Sequence, residues 1–223
     1  MTSCKKSSGG QTPGIITQDF SFSTGSEGWT GDFADYPNDP LMIPMYQLAF
    51  GHATLPTPLN TSEGALRQSG MNHSDDLFMF IKKKITGLQG GKTYSVTLHI
   101  EIGSNVANNM VGIGGSPGEG VYIKAGAVAV EPLKILNTVD NHFRMNIDKA
   151  NQSQSGTDMK VIGNFANGTN NNVYTLKQLS NTTPFTVKAD SAGEIWLVAG
   201  TDSGFEGLTT IFYNSIKATI RPQ

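Results

Sequence analysis

Between residues 94 and 102 the chain alternates strictly: Tyr94, Val96, Leu98, Ile100 and Ile102 fall on one side, Ser95, Thr97, His99 and Glu101 on the other. A repeat of two is the side-chain period of a strand, and one apolar face beside one polar face predicts a half-buried antiparallel strand. Residues 121–126 and 216–220 repeat the pattern more weakly. Residues 77–81 and 195–198 are apolar without interruption, as in strands covered on both sides. Further strands are predicted at 16–22, 45–50, 143–147, 173–176 and 209–213.

No segment carries a sustained helical stripe with caps, and residues 151–172 are broken by Gly156, Gly163 and Gly168. Turn signals recur at Thr86-Gly87, Gln89-Gly90-Gly91, Ser116-Pro117-Gly118, Asn167-Gly168 and Ala192-Gly193. Many short strands with such turns predict an all-β fold, a sandwich or a barrel. No internal repeat and no second tether follows Gly14, so one domain over residues 15–223 is expected behind a tether of residues 1–14.

Composition narrows the function classes. Glycine contributes 26 of 223 residues and charged residues only 15%, a balance suited to strands and turns. Net charge is −2 with scattered lysines, which argues against a nucleic-acid partner, since that needs a concentrated basic face. The only basic run, Lys82-Lys83-Lys84, reads as a solvated strand end. A single cysteine excludes an internal disulfide and a multi-cysteine zinc site.

That cysteine stands in Met1-Thr2-Ser3-Cys4-Lys5-Lys6-Ser7-Ser8-Gly9-Gly10. Thr2-Ser3 before Cys4 resembles the small-residue end of a bacterial lipoprotein signal, and the Lys/Ser/Gly run after it resembles a flexible tether. The expectation is lipidation at Cys4 and attachment to the cell envelope, at the outer membrane or the surface. The apolar part of such a signal is not present, so either the sequence begins late or Met1 stands in for the residue before Thr2. The plain alternative is a chance cysteine near the start of a cytoplasmic protein.

Three stretches resemble carbohydrate-binding-module-like jelly rolls. Residues 85–94, with Gly87-Leu88 and Tyr94, resemble the approach to their central strand; residues 209–220 resemble their closing strand pair; Phe20-Ser21-Phe22 followed by Gly28-Trp29 resembles their opening. With its tether the chain is similar to surface lipoproteins of Bacteroidota-type bacteria. The resemblance implies a two-sheet jelly-roll β-sandwich, sugar binding and, in many members, a structural calcium. That calcium often uses an acid where this chain has Asn214, which brings no charge; Asp19 is the candidate acidic partner.

Four polar loops carry the candidate chemistry: residues 31–39 with Asp32, Asp35 and Tyr36; residues 72–76 with His73, Asp75 and Asp76; residues 116–120 with Glu119; and residues 201–207 with Asp202 and Glu206. Taken singly, Asp and Asn side chains explain such loops by bonding their own turns. Gathered at one end they would repel without a cation, and calcium takes six to eight oxygens from flexible loops. No window matches the calcium loop D-x-[DN]-x-[DN]-G, so no metal ligand set is assigned. Acids and amides beside exposed rings also hold sugars, and Trp29, Tyr36, Tyr46 and Trp196 are the candidate platforms. Trp196 lies in an apolar run and reads as core, whereas Trp29 between Gly28 and Thr30 reads as the better surface ring.

Gly114-Gly115-Ser116-Pro117-Gly118 matches G-x-S-x-G, but Pro117 lacks the N–H an oxyanion hole needs and a strand rather than a helix follows. The four histidines show no metal-ligand spacing. The expectation is therefore a non-catalytic glycan-binding lipoprotein. Its rivals are an envelope structural protein without a small ligand, and a glycoside-active enzyme using two of Asp75, Asp76, Glu119, Asp202 and Glu206 across a cleft.

Overall fold

In the computed structural model residues 14–73 and 76–223 are described; Cys4 with its tether, and Asp75, lie outside the described residues. The strands run in chain order as β1 (Ile16–Ser21), β2 (Thr30–Ala34), β3 (Tyr36–Pro37), β4 (Ala49–Thr54), β5 (Gly64–Met71), β6 (Phe78–Ile85), β7 (Thr93–Ser104), β8 (Val121–Val128), β9 (Lys134–Asn137), β10 (His142–Met145), β11 (Met159–Asn164), β12 (Thr175–Ser180), β13 (Phe185–Lys188), β14 (Ile195–Ser203) and β15 (Leu208–Pro222). Two main sheets face each other. Sheet A has the order β12-β7-β15-β5-β4, with β1 also on β15 and β13 also on β7; sheet B has the order β11-β8-β14-β6-β2. A small third sheet, β3-β10-β9, stands beside them.

Every pairing is antiparallel. The chain passes repeatedly from one main sheet to the other, so that β5-β15-β7-β12 lies over β6-β14-β8-β11. That order is a jelly-roll β-sandwich.

The core lies between the sheets. The apolar face of β7 is fully buried, Tyr94, Val96, Leu98, Ile100 and Ile102 included, and its polar face is not. Across from it pack Met79, Ile81, Ile123, Leu197 and Ala199 of sheet B. Each such side chain contributes about 1.5–3 kcal/mol by leaving water. The core also holds polar positions. Gln68 of β5 is 0% exposed and donates to the carbonyls of Asp32 (2.9 Å) and Phe80 (3.1 Å) in sheet B.

Sheet B is covered on its outer face as well. Phe78 and Phe80, stacked at 5.8 Å, join Val198, Ala34, Ile147 and Met159 in a second apolar cluster under residues 145–159. The uninterrupted runs at 77–81 and 195–198 reflect this double cover. Gly126 makes the close approach attainable: a Cβ there would collide with the carbonyl oxygen of Asp158.

Three sequence expectations need correction. Residues 45–50 do not form one strand: Ile43–Tyr46 is a 3₁₀ turn started by Pro44, and Gln47 turns left-handed (φ 48) before β4 begins. Trp196 is not core; it stands half-buried on the outer face, with the ammoniums of Lys82 and Lys84 at 5.4 and 5.3 Å from its ring. The basic run is likewise paired rather than merely solvated, Lys82 with Glu131 and Lys84 with Glu194.

Gly126→Ala is expected to destabilise by about 1–3 kcal/mol, the range of overpacking. Gly51→Ala, where an added Cβ meets nothing within 4 Å, should stay within about 0.5 kcal/mol of the parent. Urea unfolding of the two variants checks the pair.

Candidate functional site

The four acidic loops do meet at one end of the sandwich. Asn72 donates to the carbonyls of Ser203 (2.8 Å) and Phe205 (2.9 Å), Gly204 N–H donates to Gly120, and Glu206 N–H donates to Ile113. Asp35, held left-handed (φ 61) at the corner between β2 and β3, reaches the same end.

Its acids meet cations from the chain itself. Lys124 of β8 and Asp202 of β14 project from the outer face of sheet B, and Lys124 lies opposite Gly200, which adds no side chain between them. Lys124 Nζ is 2.7 Å from Asp202 Oδ2, with both side chains 0% exposed. Lys149 Nζ bridges Asp202 Oδ2 and Asp35 Oδ2, each at 2.9 Å. Arg144 joins Asp35 (3.2 Å), Asp76 (3.7 Å) and Asp140 (2.8 Å). Asp32 pairs with Lys134 at 3.1 Å. The repulsion that sequence reasoning assigned to calcium is relieved by lysine and arginine.

Burial sets the proton affinities. Asp76 is pushed up to about 7, by desolvation first and by the Asp202 and Asp35 carboxylates after it, against the opposing pull of Lys149 and Arg144. Lys124 is pushed down, chiefly by desolvation and further by the charge of Lys149. Burial also acts to lower Lys149, but Asp202, Asp35 and Asp76 outweigh it and raise that lysine. A cavity of about 230 Å³ opens beside the cluster, lined by Asp35, Asp76, Arg144 and Lys149.

The predicted aromatic platforms belong to the interior. Trp29 is 1% exposed, with Phe20 and Phe22 edge-on at 5.6 and 6.2 Å. Tyr36 and Tyr46 are buried against each other and Phe143. Rings covered in this way offer no face to a sugar. Asp35 and Asp202 are also buried, so a ligand would have to displace a lysine to reach them.

His73 and Glu206 are exposed, and Asp32 is partly so. Glu119 closes its own turn, accepting from the Ser116 hydroxyl (2.5 Å) and the Asn109 N–H (2.9 Å). Ser116 is thereby a turn residue. Asn214 donates to Glu101 (2.5 Å) and Asp19 faces Lys217 (3.5 Å), which leaves those two apart in partnership. Among the described residues no three His, Cys, Asp or Glu side chains converge as a metal site.

A larger cleft lies elsewhere. At the edge of the sandwich, β12 ends at Ser180 and β13 begins at Phe185, both paired with β7. Between them the Asn181 side chain takes over the ladder, accepting from Leu98 N–H (2.7 Å) and donating to Val96 O (3.1 Å) and Thr183 O (2.9 Å). This leaves Thr182, Thr183 and Pro184 standing out from the sheet.

Facing them across the gap are Thr157, Asp158, Lys160 and Val161 of sheet B's edge, and about 510 Å³ lies between. The lining is hydroxyl-rich, with Phe185, Val161, Ile162 and Pro184 as its apolar part. Sequence reasoning missed this cleft. Its only local signal was the polar interruption Ser180-Asn181-Thr182-Thr183 between two short apolar segments.

No protein-family model matches the chain, and no curated protein matches it. Solved structures do. The K1 cleaved adhesin domain of Lys-gingipain from Porphyromonas gingivalis W83 is 9% identical, with 91% of this chain and 97% of that one covered, at a TM-score of 0.40. The mannan-recognising carbohydrate-binding module TmCBM27 is 11% identical, over 94% and 99% of the two chains, at 0.39. The enzymatically active domain of bacteriophage CBA120 tailspike protein 4 is 12% identical at 0.36; 88% of this chain is covered, but it spans only 21% of that one. The jelly roll is established by the strand order itself.

The raised proton affinity of Asp76 has a signed consequence. The native state holds this proton more tightly than the unfolded chain does, so the stability it confers is complete below 3.8 and is lost as pH rises through about 7. Stability should therefore fall by about 2–4 kcal/mol from about pH 5 to about pH 8. Asp76→Asn should flatten that slope in urea titrations at the two pH values.

Proposed function

We propose that this protein is a non-catalytic glycan-binding module of the bacterial cell envelope. The observation that carries the reading is the cleft between β11 and the β12–β13 break. Its volume falls within the roughly 300–1,000 Å³ of small-ligand sites, and its rim carries Thr182, Thr183 and Thr186 at exposed positions beside the apolar side chains of Val161, Ile162 and Pro184. Hydroxyls donate and accept at once, which suits a ligand whose own polar groups are hydroxyls. The apolar part suits the C–H face of a pyranose.

The absence of catalysis is part of the proposal and is supported by the acids. Asp76 and Asp202, two of the carboxyls a glycoside-cleaving enzyme would need, are engaged with Arg144, Lys124 and Lys149, and Glu119 is engaged in its turn. Those ion pairs equally favour a second reading, an envelope structural protein whose loops only hold the fold together. The placement at the envelope rests on residues 1–14 and Cys4.

A glycan array probed with the purified full chain should give hits that calorimetry then confirms. Thr186→Arg and Thr183→Trp, both at exposed positions, should each weaken the best hit at least tenfold, about 1.4 kcal/mol, at unchanged melting temperature. An empty array, or affinity indifferent to both substitutions, would remove the reading and leave the structural one. For the anchor, labelled palmitate should enter the full-length protein expressed in a bacterium and be lost in Cys4→Ser; label that persists refutes lipidation at Cys4.

A further inference from the structure

On the outer face of sheet B an amine and a carboxyl are held in contact without access to water. Lys124 Nζ and Asp202 Oδ2 are 2.7 Å apart and both side chains are fully buried. They project from neighbouring strands, β8 and β14, on the same face. Asp202 is fixed from its other side by Lys149 Nζ (2.9 Å) and the Gln152 N–H (3.1 Å), while its Oδ1 is buried without a hydrogen-bond partner among the described residues. Lys124 is fixed as well, donating to the Lys149 carbonyl at 2.7 Å.

We propose that Lys124 and Asp202 condense with each other, forming an amide bond between Nζ and Cγ that staples β8 to β14. The net step joins one ammonium and one carboxylate into one amide and one water, so it balances without oxidant, cofactor or leaving group from outside. Three features favour it. The partners are pre-positioned, which replaces an improbable encounter by an intramolecular one. Both ions have lost their hydration, and condensation removes both charges from the site. Water, the reagent of the reverse reaction, is excluded.

The neighbouring groups divide the labour. Desolvation and the Lys149 charge favour the neutral amine at Lys124, the form that carries a nucleophilic lone pair. Lys149 keeps its proton among Asp202, Asp35 and Asp76, and its ammonium polarises the Asp202 carboxyl for attack. Asp76 interacts electrostatically with both Lys124 and Asp202 and retains a proton near neutrality. Between ammonium and amide Nζ gives up two protons; both pass, with Asp76 as the relay, to the oxygen whose bond to Cγ breaks, and that oxygen leaves as water. Arg144 and Asp35 complete the charged surround.

Mass spectrometry of the purified full-length chain decides the matter. The wild type is expected to be lighter than its sequence by one water, and proteolysis should release a branched peptide joining the segments around positions 124 and 202. Lys124→Met, which keeps an unbranched side chain and loses the amine, should have its full sequence mass. A wild type at full mass, separate peptides for the two segments, or a branch at Lys149 would overturn the proposal. The wild-type digest is decisive even where Lys124→Met does not fold. Asp76→Asn should leave a fraction of the chains uncondensed; condensation as complete as in the wild type would remove Asp76 from the step.

Discussion

Sheet B is covered on both faces, and the pairing of the buried charged groups at its loop end follows from that constraint. A sheet with one wet face can point lysines and aspartates at solvent. Here the outward positions Phe78, Phe80 and Val198 lie under residues 145–159, and Lys124 and Asp202, on the same face, are sealed in with them. Ions in such a place must find partners or not be ions. Removing one member of a buried pair leaves the other uncompensated, typically at a cost of about 3–5 kcal/mol, although the intact pair contributes little to stability against an apolar replacement. The cluster therefore acts on specificity: it fixes where the covering segment docks, through Lys149 and Arg144, and it holds Asp35 at the corner of β2.

What could be read from sequence was what side-chain period encodes. The alternation in β7 gave its buried face residue by residue, and the unbroken apolar run at 77–81 announced cover on both sides of β6. The period fails where polarity and burial part company. In β5, Gln68-Ser69-Gly70 hides a strand whose glutamine lies wholly in the core, bonded to backbone carbonyls of the opposite sheet. Trp29 looked like a surface ring because Gly28 and Thr30 flank it, yet Phe20 and Phe22 enclose it. Trp196 looked buried for its apolar neighbours, yet it points to the half-exposed side of its strand.

The site was legible only in part, for the same reason. The grouping of the four acidic loops at one end was anticipated as a condition for metal binding, and the fold does bring them together. Their counter-charges were not visible. Lys124, Arg144 and Lys149 are separated from Asp35, Asp76 and Asp202 by tens of residues, and no local pattern links them. The edge cleft was hidden too, since it is made by a gap between two strands that share one neighbour, bridged by the Asn181 amide.

The two regions divide the surface by how fully their polar groups are used. At the loop end Asp35, Asp76, Glu119 and Asp202 already have ionic or hydrogen-bonded partners in the fold, so a ligand there must first break interactions that are costly to lose. At the edge cleft the threonine hydroxyls stand at exposed positions, and the one amide in the lining, that of Asn181, is spent on holding β7's ladder closed. A ligand can exchange water for protein there without moving the scaffold, which keeps the ordering cost of binding low. The jelly roll by itself selects no ligand; the contrast between an end whose acids are tied up in the fold and an edge where Thr182, Thr183 and Thr186 stand exposed is what directs the search for one to β11, β12 and β13.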